Sequence, residues 1–264
     1  GPLLMLLPSL YARVGDKKLA ASVFEQALST ALADGQTAGA AWAALGRMRL
    51  AAGDSAGALD AARRSLGNDA RSLAALGLAL ELMSPKLPLA EALVLAYLQS
   101  PQVADAAVRL GYARNLLDTQ RYSESSQQLL QLTRDHPNFA DAWLLLGSLQ
   151  MELPQMAQAE ASLKRYLALS EEDDEPRRNP RGMAQAYLLL AQIAERRGDM
   201  AGAEQWLTRI NDRELLVQTQ SRRASLLARQ GKMAQARALI QQLPEQTPAD
   251  ARRRTTRIIT MPTA

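Results

Sequence analysis

Apolar and small residues return along this chain in the same order at intervals of about 34 residues, with short polar turns between them. Trp42-x-x-Leu45-Gly46 recurs as Trp143-x-x-Leu146-Gly147, 101 residues on and close to three such intervals. Within an interval, one apolar stretch carries leucine followed by glycine or alanine. A second carries an alanine with a large apolar residue four positions later. The turns between the two stretches read Gly15-Asp16, Gly53-Asp54, Gly198-Asp199 and Gly231-Lys232. Glycine just past a helix supplies the positive φ that ends it. One interval has Pro154 at that place, which predicts a different turn. Each interval is therefore predicted to be helix, turn, helix. Two antiparallel helices cannot bury their apolar faces alone, so neighbouring pairs must stack.

Seven units follow from the spacing. The first spans residues 3–34 (Tyr11, Gly15, Ala20, Phe24, Ala27) and the second 39–69 (Trp42, Leu45, Gly46, Gly53, Ala58, Ser65). A degenerate third spans 70–104 (Leu73, Leu76, Gly77, Ala90, Val94, Tyr97), and the fourth 105–138 (Ala113, Tyr122, Ser125, Leu129, Leu132, Pro137). The fifth spans 140–170 (Trp143, Leu146, Gly147, Ala159, Leu163, Tyr166). The sixth and seventh span 184–212 and 217–248, and residues 249–260 read as a further helix cut short. Gly46, Gly77, Ala113, Gly147, Ala191 and Ala224 are predicted to sit where the first helix nears the second. Ala58, Ala159, Ala203 and Ala236 would face them. A larger side chain there would hold the backbones apart.

These residues in this order resemble the tetratricopeptide repeat family over essentially the whole chain, most specifically in the Trp42 and Trp143 units. The resemblance implies an all-α fold, a right-handed superhelical solenoid of about seven helix–turn–helix units forming one domain over residues 3–260. It also implies a concave groove lined by the first helix of each unit, helix A. The groove positions hold Arg47 and Leu50, Leu78, Arg114 and Leu117, Ser148 and Met151, Gln192 and Glu195, and Ser225 and Arg229. That is an apolar floor edged with arginines. Guanidinium forks of this kind suit the carboxylates or carbonyls of an extended peptide or a helix. Co-chaperone members of the family carry a Lys/Asn carboxylate clamp. The corresponding places here hold Ala43, Arg47 and Ala75, or Leu144, Ser148 and Leu189, so chaperone tails are not the expected ligand. The alanine- and arginine-rich style resembles proteobacterial envelope arrays, such as pilus-assembly factors and lipoprotein adaptors of processing proteases.

Composition narrows the function. Net charge is +4, with 26 arginines against 5 lysines, yet acids and arginines intermingle along most helices. A nucleic-acid binder gathers its cations on one face, and the one basic run, Arg252-Arg253-Arg254 with Arg257, reads as the polar face of a short helix. No nucleic-acid partner is expected. There are no cysteines and a single histidine, His136, placed at a helix C-terminus where a cation complements the dipole. With neither a nucleophile–base pair nor a metal-ligand set, no enzyme, cofactor or metal is expected. No run reaches the roughly 18 apolar residues of a membrane span. Residues 171–182, acidic and bracketed by Pro176 and Pro180, are expected to be a solvated loop. Gly1-Pro2 resembles a tag-cleavage scar. Leu3–Leu7 reads as a helix remnant through whose exposed end the array could self-associate. The expected role is a protein-binding scaffold or adaptor, with a self-associating array and, after it, a nucleic-acid- or polysaccharide-binding module as the alternatives, and with a periplasmic or outer-membrane setting favoured over the cytoplasm.

Overall fold

The computed structural model describes residues 38–100, 104–172 and 179–243, together with Ser22, Glu25, Gln26, Leu28 and Ser29. The expectations for Gly1-Pro2, Leu3–Leu7, the Gly15 turn and residues 249–260 lie outside the described residues. Twelve helices run through residues 38–243, and no strand occurs among the described residues. In chain order they are α1 (Ala38–Ala51), α2 (Ser55–Asn68), α3 (Leu73–Leu82), α4 (Pro88–Leu98), α5 (Ala106–Asp118) and α6 (Tyr122–Asp135). There follow α7 (Ala140–Glu152), α8 (Met156–Glu172), α9 (Pro180–Arg196), α10 (Met200–Thr208), α11 (Leu216–Arg229) and α12 (Met233–Gln241). Two compact bodies comprise residues 1–128 and 129–264, and the boundary falls inside α6.

The α1–α2, α9–α10 and α11–α12 turns share one construction. Gly53, Gly198 and Gly231 take φ values of 81°, 80° and 77°. The next residue then donates its N–H back into the helix just ended: Asp54 to the Arg49 carbonyl, Asp199 to Ala194 and Lys232 to Leu227, each at 2.9 Å. Asp54 and Asp199 also cap the helix that follows, accepting from the N–H of Gly57 and Gly202 at 2.8 Å. The capping carboxylate lies 2.0–2.1 Å from where a Cβ on those two glycines would be, so glycine makes room for the cap. The turn at Pro154 differs in backbone, as expected, with φ 26° where the glycines take 77–81°, but it keeps the closing bond. It keeps the same length, and Gln155 donates to the Gln150 carbonyl at 2.8 Å, because the 6→1 closure uses the N–H after the proline rather than the proline's own. Gln120 holds the equivalent place in the α5–α6 turn, with φ 61°.

In the first body, Gly46 lies under its partner helix. A Cβ there would come within 3.2 Å of the Ala58 carbonyl and 2.3 Å of Leu78 Cδ2. Ser125 stands where other units have alanine and donates its hydroxyl to the Ala113 carbonyl at 2.8 Å, binding α6 to α5. Gly77 does not do what its place in the repeat predicts. Helix α3 has only ten residues and a five-residue turn, Met83–Leu87, so its register against α4 shifts. A Cβ on Gly77 would meet just the Arg47 guanidinium, at 3.4 Å, and Leu78 and Ala79 are the fully buried residues instead.

In the second body, Gly147 lies 2.8 Å, measured from a would-be Cβ, from Cγ and Cδ2 of Leu163 on α8. The expected loop 171–182 is shorter than predicted. Glu171 and Glu172 complete α8, and Pro180–Gly182 open α9. Asn179 is the N-cap, accepting from Gly182 N–H at 3.1 Å, with Pro180 in the first turn, where a missing N–H costs nothing. Gly182 is a packing residue: a Cβ there would lie 2.3 Å from the Tyr166 hydroxyl of α8.

Candidate protein-binding face

The first helices of successive pairs are α1, α3 and α5 in the first body and α7, α9 and α11 in the second. Their polar residues meet one another across neighbouring pairs. Arg47 of α1 donates to Glu81 of α3 at 2.6 Å, with both side chains about half exposed. Gln185 of α9 donates to the Ser148 hydroxyl of α7 at 3.2 Å, and that hydroxyl donates to the Leu144 carbonyl at 3.0 Å. Arg222 of α11 donates to Glu195 of α9 at 2.8 Å, with Arg229 4.0 Å from the other carboxylate oxygen. Exposed pairs of this sort contribute little stability. Their effect here is local: Arg47 and Glu195 already have partners, and a ligand must displace or join them.

Arg114 on α5 is different. It is exposed and has no ion pair among the described residues, and half-buried Leu117 lies one turn along the same helix. Leu50 is half-buried against Leu59, Leu78 and Leu82. Gln192 is half-buried, whereas Ser225 and Arg229 are exposed. Two expected groove residues are withdrawn from solvent. Leu78 is fully buried among Ala58, Leu59, Ala62 and Ala90, a consequence of the shifted register of α3. Met151 is 7% exposed because α9 covers it, packing Ala184, Tyr187 and Ala191 into the same cluster. Neither can take part in a surface floor.

Three residues that the repeat pattern did not single out position this face. Gly111 lets α5 approach α3, since a Cβ there would lie 2.9 Å from Leu80 Cδ1. Asn115 donates to the Leu80 carbonyl at 3.4 Å beside it. Arg109 is buried and donates to Gln128 at 2.6 Å and to the Leu98 carbonyl at the end of α4 at 3.3 Å, a cation on a helix C-terminus. A polar network adds to this seam. Glu91 of α4 accepts from the buried Tyr112 hydroxyl at 2.7 Å and from Arg121 at 2.9 Å. Arg121 holds the Glu91 carboxyl below its usual value, with help from Tyr112. Burial, together with Glu91, pushes the Tyr112 phenol well above the ordinary range. These shifts belong to a hydrogen-bonded seam that ties α4 to α5. No group of three or more His, Cys, Asp or Glu side chains that could hold a metal occurs among the described residues. His136 is exposed at the end of α6, where its N–H bonds the Leu132 carbonyl at 2.9 Å. No helix among the described residues is long and apolar enough to cross a membrane.

Residues 110–174 and 177–213 match the tetratricopeptide repeat family model. The matched segments make up less than half of the chain. The repeat fold extends beyond them, to solved structures aligned over most of the chain. PilF of Pseudomonas aeruginosa is 19% identical, with a TM-score of 0.56 over 83% of this chain and 96% of that one. The C-terminal part of a tetratricopeptide repeat protein from Cytophaga hutchinsonii is 14% identical, with a TM-score of 0.58 over 78% and 83%. PilW, a widely conserved type IV pilus biogenesis factor, is 17% identical, with a TM-score of 0.52 over 81% and 96%. No curated protein matches the chain. Tetratricopeptide repeats are typical of protein–protein interaction scaffolds. Trp42 and Trp143 are each half-buried near the start of a helix A, the first outside the matched segments and the second inside; Arg64 lies over the first ring at 4.7 Å, and the second donates to the Pro137 carbonyl at 2.9 Å.

Proposed function

We propose that the chain is a non-enzymatic scaffold or adaptor that holds a peptide or helix of a partner protein against its helix-A face, in a bacterial envelope assembly or a protease–adaptor complex. The observation that carries this reading is Arg114. It is an exposed cation with no ion pair among the described residues, beside half-buried Leu117, on a face where Arg47 and Glu195 are matched internally. A partner carboxylate would meet an unspent guanidinium there, while apolar side chains cover Leu117 and Leu50. The envelope setting is supported by likeness of fold to PilF and PilW and by the arginine- and alanine-rich composition.

The test is co-purification from the native organism with the parental protein, with Arg114→Glu combined with Leu117→Ala, and with Arg134→Glu on α6 as a surface control. The expected result is partners lost from the double variant and kept by the control, with unchanged helix content by circular dichroism. Recovery of the same proteins from all three would remove the helix-A face from the account.

A further inference from the structure

Helix α4 departs from the other helices in its surface. Its sequence, Pro88–Leu98, holds one charged residue, Glu91, and that carboxylate is turned inward onto Tyr112 and Arg121. A helix that is apolar on every side is ordinarily buried on every side. On α4, Leu89 is 43% and Leu95 36% exposed, and Ala92 and Ala96 are exposed as well. Leu89, Ala92 and Ala96 fall at i, i+3 and i+7, a single stripe. Beside that stripe lies a cleft of about 400 Å³, lined by Leu66 of α2, by Leu93, Ala96 and Tyr97 of α4, and by Ser100 and Arg71. The lining is mostly apolar, and the volume is within the range of small binding sites. The Tyr97 hydroxyl is occupied, accepting from the Asp105 N–H at 2.8 Å. The Arg71 side chain has no ion pair among the described residues, and Asp69 beside it accepts the backbone N–H of Arg71 at 3.0 Å. No carboxylate lines the cleft among the described residues.

We infer that the α2–α4 cleft and the bare outer stripe of α4 form a second docking surface, distinct from the helix-A face, for an acidic amphipathic helix of a partner protein. One large apolar side chain of that helix fills the cleft between Leu66, Leu93 and Tyr97. Its apolar stripe lies along Leu89, Ala92 and Ala96, and a flanking carboxylate meets Arg71. The charge argument selects the partner: a basic helix of the same shape would face Arg71 uncompensated. The surface is independent of Arg114, so either reading can fail alone.

Fluorescence anisotropy with two labelled helical peptides tests this. The peptides share one leucine stripe and differ in having glutamates or lysines along its flank. The acidic peptide is expected to bind the parental chain at least tenfold more tightly than the basic one. Arg71→Glu is expected to reverse that preference, and Ala96→Arg, which fills the cleft, to abolish binding of both. Arg114→Glu should bind as the parent does, and circular dichroism melts establish that each variant is folded. Equal affinity for the two peptides, no binding of either, or a preference unchanged by Arg71→Glu would overturn the inference. So would binding of phosphatidylglycerol vesicles, lost in Ala96→Arg, without binding of the acidic peptide.

Discussion

The fifth pair, α7–α8, and the third, α3–α4, open on similar sequence and arrive at different packing. Leu146-Gly147 and Leu76-Gly77 hold the same place in the repeat. In the fifth pair, a thirteen-residue helix and a three-residue turn bring Gly147 directly under Leu163. In the third, the helix is three residues shorter and its turn two longer, and Gly77 looks across at Arg47 while Leu78 fills the interior. A signature glycine therefore carries its packing role only when helix length and turn length keep it in register. The pair that loses register is also the one that leaves a bare apolar helix, α4, on the surface.

The contrast can be broken at several points. The largest expected effect is Gly147→Leu or Gly46→Leu, each placing four carbons into space held by Leu163, or by Leu78 and the Ala58 carbonyl. Overpacking of this kind costs about 1–3 kcal/mol, occasionally more, and would be read by urea denaturation; a loss below about 0.5 kcal/mol would break the register described for α1 and α7. Glu91→Gln is next, at about 1–2 kcal/mol, since it removes a charge-assisted acceptor shared by Tyr112 and Arg121. Its signature is the pH profile. The folded carboxyl is held below the ordinary value of 4.5. Its contribution is thus complete above the unfolded value and lost as pH falls through the folded one. The parental protein should lose stability below about pH 4.5 more steeply than Glu91→Gln; parallel profiles would dismiss the network. The smallest effect is a gain. Gln120 holds a left-handed backbone where other turns have glycine, so Gln120→Gly should stabilise by about 0.5–1 kcal/mol, and a lower melting temperature would count against that turn.

Much of this fold is legible in the sequence because its physics is local. Gly53-Asp54 and Gly198-Asp199 specify a left-handed C-terminus and the next N-cap in two adjacent residues, and Leu-Gly pairs mark close helix approach wherever register holds. The candidate face was legible less evenly. Arg47, Arg114 and Arg229 are exposed as their positions imply, but position alone did not show that Arg47 and Glu195 would find partners on the neighbouring helix A. Leu78 and Met151 were misplaced for tertiary reasons: a short α3 in one case and coverage by α9 in the other. Gly111 and Arg109 were missed because their partners, Leu80 and the Leu98 carbonyl, belong to the preceding pair, and single-unit patterns do not see across that seam. Asn179-Pro180 was a readable helix start hidden by its acidic neighbours.

Register, not residue identity, decides which glycines join these helices. Chemical denaturation of Gly77→Ala and Gly147→Ala measures it directly. Alanine is the better helix former by about 0.5–1 kcal/mol, and a methyl at Gly77 has room, so that variant should be more stable than the parent. A methyl at Gly147 must displace Leu163, so that one should be less stable. Shifts of the same sign in both variants would contradict the account.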